Sequence, residues 1–268
     1  MAATPDLIDS HCHLDAPEFE PDRDAVVRLA RIAGVNTIVV PAIAVSNFAA
    51  TRAMADRYPG CVCAFGLHPI YIDTHQPQHL QALRKELQQG GAVALGEIGL
   101  DGFVPGLDMA RQEWLFAEQL KIAAEFDLPV LLHIRRAQDP ILKHLRRIRV
   151  RGGIAHAFNG SRQQADEFIR LGFKLGFGGA MTFDRALRIR QLARDLPLQA
   201  MVLETDAPDI APSWIYRQRN TPAEVANIAA VLAELRQMPL AEVAAATSAN
   251  VRQLLRLPPP SKLAACRT

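Results

Sequence analysis

The stretch Leu7-Ile8-Asp9-Ser10-His11-Cys12-His13 carries the reading of the fold. It opens as a short apolar run and closes on two imidazoles spaced i and i+2. In extended backbone such residues share a face, so His11 and His13 turn one way and Cys12 the other. The same unit, a short apolar run followed by an ionisable side chain, recurs along the chain. The runs are Leu7–Asp9, Thr37–Val40, Cys61–Gly66, Ala92–Gly96, Val130–His133, Gly153–His156, Lys174–Phe177 and Met201–Glu204. His68 follows the third and Glu97 the fourth. His133 ends the fifth, His156 ends the sixth, and Asp206 follows the eighth. Of eight histidines only His75, His79 and His144 fall outside this set.

Helical patterns lie between and after the runs. Asp22–Gly34 ends on a glycine suited to a C′ position. Gln112–Phe126 aligns Phe116, Leu120, Ala123 and Ala124 on one face, and Gln163–Leu171 stops before Gly172. Pro222–Arg236, Leu240–Ala246 and Asn250–Leu255 follow the last run, with Thr221-Pro222-Ala223-Glu224 as a helix start. Strand then helix, repeated eight times, predicts a parallel sheet. In about 250 residues that fits an α/β fold of (β/α)8 TIM-barrel type with additional C-terminal helices better than an open doubly wound sheet. No G-x-G-x-x-G follows the first run, which removes the main support for dinucleotide binding. One domain is expected over residues 1–257, with 258–268 a disordered tail.

Composition narrows the class. The 268 residues are 49% hydrophobic and 22% charged, with a net charge of +2. That suits a globular chain and argues against a basic nucleic-acid cloak. No stretch reaches the roughly 18 apolar residues of a membrane span, and no signal peptide is expected, since the residues before the first run lack a basic stretch and an apolar core. Four cysteines in this length, Cys12, Cys61, Cys63 and Cys266, read as free thiols of a reducing, cytoplasmic setting rather than a disulfide scaffold.

The strand-end groups point to metal chemistry. TIM barrels build their sites at the C-terminal ends of the strands. His11 and His13 together can chelate an ion. Glu97 in an apolar barrel is costly unless paired or bound to metal, and its two oxygens can bridge two cations. His133 and His156 can complete a second site. Asp206 can reach the His11–His13 ion or accept the proton of an activated water, while Glu204 reads as supporting structure. Imidazole with carboxylate suits Zn or Mn, and Mg is open in the cell. Two cations sharing a carboxylate activate a water and polarise the bond under attack, so phosphodiester, phosphotriester, amide and lactone hydrolysis all fit. For substrate contact, Arg135, Arg219, His68, Asn159 and Ser161 are the candidates. The basic run Lys143, Arg146, Arg147, Arg149 and Arg151 falls at the opposite end of the barrel.

The motifs Ile8-Asp9-Ser10-His11-Cys12-His13, Gly66-Leu67-His68-Pro69, Gly96-Glu97-Ile98-Gly99-Leu100-Asp101, His133-Ile134-Arg135, His156-Ala157-Phe158-Asn159-Gly160 and Glu204-Thr205-Asp206-Ala207-Pro208 resemble, in order and spacing, the TatD-like family of metal-dependent hydrolases and deoxyribonucleases, of the amidohydrolase superfamily. The resemblance runs from about Leu7 to Leu257 and is strongest to the bacterial YjjV-type branch. It implies two divalent cations, one on His11, His13, Glu97 and Asp206, the other on Glu97, His133 and His156. It also implies DNA hydrolysis, commonly as a 3′→5′ exonuclease. Glu97 and Asp206 are the expected catalytic residues, and a monomer is the expected state. Asn159 stands where Ser or Thr is usual, Ala157 where Cys or Gly is common, and Thr221 where Glu is expected; none is a proposed ligand. A small amide, lactone or tRNA-linked ester is the alternative substrate, and a non-catalytic barrel scaffold the alternative of another class.

Overall fold

A computed structural model describes residues 6–259. Cys266 and residues 260–268 of the expected tail lie outside the described residues. The eight strands are β1 (Leu7–Asp9), β2 (Val35–Pro41), β3 (Cys61–Phe65), β4 (Ala92–Asp101), β5 (Val130–Arg135), β6 (Gly153–Ala155), β7 (Phe173–Phe177) and β8 (Met201–Leu203). They pair in parallel in chain order. Ser10 N–H donates to Leu203 O at 3.0 Å, Asp206 N–H to His11 O at 2.9 Å, and Cys12 bridges Ala207, so the last strand meets the first. The fold is the expected TIM barrel.

Helices cover the strands: α1 (Arg23–Ile32), α2 (Phe48–Arg57), α3 (Pro77–Gln88), α4 (Met109–Glu125), α5 (Gln138–Arg147), α6 (Arg162–Arg170), α7 (Leu187–Asp195) and α8 (Val225–Arg236). α9 (Leu240–Leu255) is one helix where the sequence pattern suggests two. The polar pair at the apparent break is satisfied inside it: Thr247 Oγ1 donates to Val243 O at 2.8 Å and Ser248 Oγ to Asp6 O at 2.9 Å. Thr221-Pro222-Ala223-Glu224 does turn the chain into α8, but as a 3₁₀ turn without a Thr221 side-chain cap. The Glu224 carboxylate accepts instead from Trp214 Nε1 at 2.7 Å.

Period-two alternation sorts the strands' side chains into two layers. Leu7, Ile38, Val40, Phe65, Leu95, Val130, Leu132 and Leu203 face the helices. Ile8, Val39, Ala64, Ala94, Leu131, Ile154 and Val202 fill the barrel, where Val251 and Leu255 of α9 join them. α9 therefore seals the barrel on its floor. The basic run reaches this end, since Arg151 Nη2 donates to Leu254 O at 2.8 Å.

Candidate metal centre

The alternation continues into the mouth and decides which side chains meet there. Val202 points inward, so Glu204 and Asp206 follow it inward beyond β8. Leu131 does the same for His133, and Ile154 for His156. β4 departs from the pattern. Leu95 and Ile98 both pack outward, and the register with β5 shifts between them, which leaves Gly96-Glu97 as a bulge aimed at the axis. The sequence pattern ends this strand at Gly96, but it runs on to Asp101. Gly99, at φ +149°, sits where a Cβ would lie 2.0 Å from His133 O, so the strand can continue there only as glycine.

Glu97 is the hub. Its side chain is 2% exposed. Oε2 lies 3.1 Å from His11 Nε2 and 3.4 Å from His13 Nε2. Oε1 lies 3.0 Å from His133 Nδ1 and 3.3 Å from His68 Nε2. Each carboxylate oxygen thus serves one side of the basin. Asp206 Oδ1 gathers His156 Nε2 at 3.4 Å, His11 Nε2 at 3.7 Å and His13 Nε2 at 3.8 Å. The His11 and His156 rings stack at 3.8 Å. His156 therefore stands beside His11 and Asp206 and also within ligand reach of Glu97, while His133 reaches Glu97 from the side of His68, so Glu97 is the group that the two rings of the second expected set share.

The charges in this cluster depend on one another. Burial opposes ionisation of Glu97, but the imidazoles of His68 and His11 outweigh it and hold the carboxyl well below the usual range. Burial likewise opposes Asp206, and His156, then His11 and His13, bring it down to about 2. Against its own burial, His13 is raised to about 9 by Glu97 and Asp206. Burial wins at His68, which falls to about 4. Two ionised carboxylates with several imidazole nitrogens form a donor set for a divalent cation. Ligands about 2.0–2.2 Å from zinc stand roughly 3.0–3.6 Å from one another, and the ring-to-carboxylate spacings above run from 3.0 to 3.8 Å. The residues fit a metal.

The surroundings hold the rings in place. His133 Nε2 is 2.9 Å from Asp101 Oδ2, and Asp101 Oδ1 accepts from Phe103 N and Val104 N, each at 2.8 Å. His156 Nδ1 is 3.0 Å from Glu204 Oε1, which also accepts from Ala157 N at 2.6 Å. Gly176 makes room for that carboxylate; a Cβ there would lie 2.2 Å from Glu204 Oε2. An outer carboxylate hydrogen-bonded as Asp101 is fixes the tautomer and orientation of a metal-binding histidine, whereas Glu204 meets His156 Nδ1 as a close charge contact without hydrogen-bond alignment. His68 differs, because its Nδ1 accepts from Ile70 N at 3.1 Å. The proton of the neutral ring is then on Nε2, which makes His68 a donor toward the basin. Asp9 ties β1 to the end of β8, accepting from Thr205 Oγ1 at 2.6 Å, Thr205 N at 3.0 Å and His11 N at 3.2 Å.

A family model described as TatD related DNase matches residues 8–256. The chain belongs to the TatD family. It is 44% identical over 255 residues to the Escherichia coli K12 protein named uncharacterized metal-dependent hydrolase YjjV, covering 94% of this chain and 98% of that one. The crystal structure of YjjV, a TatD homologue from the same organism, superposes with a TM-score of 0.92 at 42% identity, covering 96% of this chain and all of the other. A Klebsiella pneumoniae relative named 3′-5′ ssDNA/RNA exonuclease TatD is 33% identical over 255 residues, covering 92% of this chain and 97% of its own. As a TatD-family chain the protein is a metal-dependent hydrolase.

The residues expected to touch substrate fall in different places. His68 joins the cluster. Arg135 stands at the rim, its guanidinium 3.7 Å from the centroid of the exposed Phe103 ring. Ser161 caps α6, accepting from Gln164 N at 3.1 Å, and Asn159 is an exposed residue whose carbonyl accepts from Gln138 Nε2 at 3.0 Å. Arg219 is taken up by Asp22, with paired bonds of 2.8 and 2.6 Å. Its neighbour Asn220 is fully buried and donates to Thr205 O and Asp209 O at 2.9 Å each, pinning the loop after β8. Asp101 and Asp9 escaped the sequence reading as functional supports. Their one signal is that both are acidic residues two to four positions from a candidate ligand.

Proposed function

We propose that this chain is a deoxyribonuclease that hydrolyses phosphodiester bonds of single-stranded DNA from the 3′ end, using two divalent cations of Zn, Mg or Mn type. The observation that carries the reading is the Glu97 hub, one carboxylate spanning imidazoles on both sides of the mouth. Glu97 with His11, His13 and Asp206 would hold one ion. Glu97 with His133 and His156 would hold the other. When bound, such ions supply charge neutralisation at the phosphoryl group and a lowered pKa for an attacking water. The chain's own groups supply the rest. Asp206, kept ionised, accepts the water's proton at a carboxylate oxygen. His68 Nε2–H donates to a phosphoryl or leaving oxygen. Asp101 and Glu204 hold His133 and His156 in register, and Arg135 offers a guanidinium to a neighbouring phosphate.

The relatives named as ssDNA/RNA exonucleases support the substrate class. The reading includes a single catalytic domain in a cytoplasmic monomer, and the three buried free thiols among the described residues support a reducing compartment. The test is a 5′-labelled single-stranded oligonucleotide incubated with wild type and Glu97→Ala in Mg, Mn or Zn. Stepwise shortening by wild type, stopped by chelator and at least about 10³-fold slower in the variant, is expected. Equal degradation by both proteins would sink the reading. No shortening, together with turnover of a small ester, lactone or amide, would instead select the alternative that the +2 net charge favours.

A further inference from the structure

Beside the metal centre, the loops after β7 and β8 enclose an open cleft of about 670 Å³. That volume falls within the range of small-ligand sites and holds a nucleotide with room to spare. Phe183 and Tyr216 form one wall, with ring centroids 5.6 Å apart and planes at 82°, and Tyr216 is 53% exposed. Ile189, Ile210 and Pro208 extend the apolar surface. Arg185 and Arg217 line the same cleft, and Arg217 lies 5.3 Å from the Tyr216 ring centroid. Neither guanidinium is ion-paired with another described residue. The one carboxylate in the lining, Asp209, is at the metal end, where its N–H donates to Asp206 O at 2.8 Å. A smaller cavity of about 20 Å³ shares Ala180, Ile189 and Ile210 with the cleft and is lined on its other side by Asp206 and Glu204, so these side chains are all that stand between the cleft and the centre.

The walls are fixed before any ligand arrives. Asn220 Nδ2 bonds three carbonyls of the loop after β8, Ser213 N donates to Thr182 Oγ1 at 2.8 Å, and Gly179 packs so closely that a Cβ would lie 2.1 Å from Ile210 O. An exposed aromatic wall with unpaired arginines, beside a centre proposed to cleave phosphodiesters, has the elements of a single-strand stacking platform: π faces for bases and cations for the backbone.

We infer that this cleft is a nucleobase subsite, in which a base adjoining the scissile phosphate stacks on the Phe183–Tyr216 wall while Arg185 and Arg217 engage the neighbouring phosphates. The inference rests on the nuclease reading and gives it a substrate contact. It makes the enzyme dependent on a base at one position, yet indifferent to which base occupies it.

The test compares wild type, Tyr216→Ala, Tyr216→Phe and Arg217→Ala on two substrates. One is a single-stranded thymidylate oligomer, intact or abasic at one position near the 3′ end. The other is bis(p-nitrophenyl) phosphate, which has no base to stack. The expected result is a KM about tenfold higher for the oligomer with Tyr216→Ala, the same loss for wild type on the abasic oligomer, near-normal behaviour of Tyr216→Phe, and unchanged turnover of the small diester by every variant. Arg217→Ala should also flatten the salt dependence of KM. If wild type degrades the oligomer and neither Tyr216→Ala nor the abasic site alters KM, the subsite is wrong and the nuclease reading stands. If wild type turns over only the small diester, the nuclease reading falls and the subsite with it.

Discussion

Glu97, Asp101 and Glu204 show how one residue type takes different work from its surroundings. Glu97 faces imidazoles with both oxygens, whereas Asp101 and Glu204 each approach the far nitrogen of a single ring. Asp101→Asn and Glu204→Gln keep the shape and remove the charge behind His133 and His156. Each should weaken metal affinity or activity about 10- to 100-fold, read by metal titration with the fold checked by circular dichroism. Protons and metal also compete here. In the metal-free chain His13 is raised to about 9, chiefly by Glu97 once burial is overcome. A protonated imidazole cannot ligate, so binding must expel its proton and apparent metal affinity should climb as pH rises toward 9. Calorimetry in buffers of different ionisation enthalpy checks this, and affinity that is flat between pH 6 and 9 would contradict it. The clustering of the candidate side chains was legible at this scale because strand-end placement is written in the sequence. Arg219 was not, because its partner Asp22 is remote in sequence and adjacent only after folding.

β4 and α9 are the elements whose extent the sequence pattern misjudged. In β4 the bulge at Gly96-Glu97 breaks the alternation that marks a strand, so Ile98–Asp101 reads as loop. In α9 the Thr247-Ser248 pair reads as a stop, because its acceptors, Val243 O and Asp6 O, are invisible to a local pattern. These elements predict separable effects. Gly99→Ala forces a Cβ against His133 O and should cost both stability and activity, seen as a lower Tm together with a lower kcat. Leu255→Ala removes packing from the barrel floor and should cost about 2–4 kcal/mol in urea unfolding. Its activity per folded molecule should not change, since the centre lies at the other end.

At the scale of the whole molecule, strand order and both side-chain layers follow from the apolar runs, while the cleft beside the centre was not foreseen. It is made by long loops whose shape depends on contacts such as Asn220 with Asp209 O. Stability should follow the metal. An ion at a hundred times its Kd adds about 2.7 kcal/mol, so the metal-loaded chain should melt about 5–10 °C above the chelated one. Acid should act in the opposite sense. Burial lowers the His75 pKa, and hydrogen bonds from His133, Val104 and Phe103 outweigh the burial of Asp101 to hold it at about 2. In both cases the unfolded chain binds protons first as pH falls, so the stability from His75 is lost below its ordinary range and that from Asp101 between about 4 and 2. Cys12, Cys61 and Cys63 are buried with raised pKa values, about 12 and 11 for the last two, so a native Cys266→Ser variant should leave a thiol reagent unconsumed until it unfolds. The Asn220 side chain also bears on how the molecule survives in a protease-rich setting. Arg217 and Arg219 are exposed residues of the kind trypsin cleaves after, yet the backbone around them is pinned through a buried amide that holds Thr205 O, Asp209 O and Ile210 O. A protease must draw a segment of chain into its own extended groove, and this loop cannot be drawn out without unmaking the end of β8. Digestion here should wait on global unfolding, so nicking in Asn220→Ala should mark how far that single amide protects the barrel's open end.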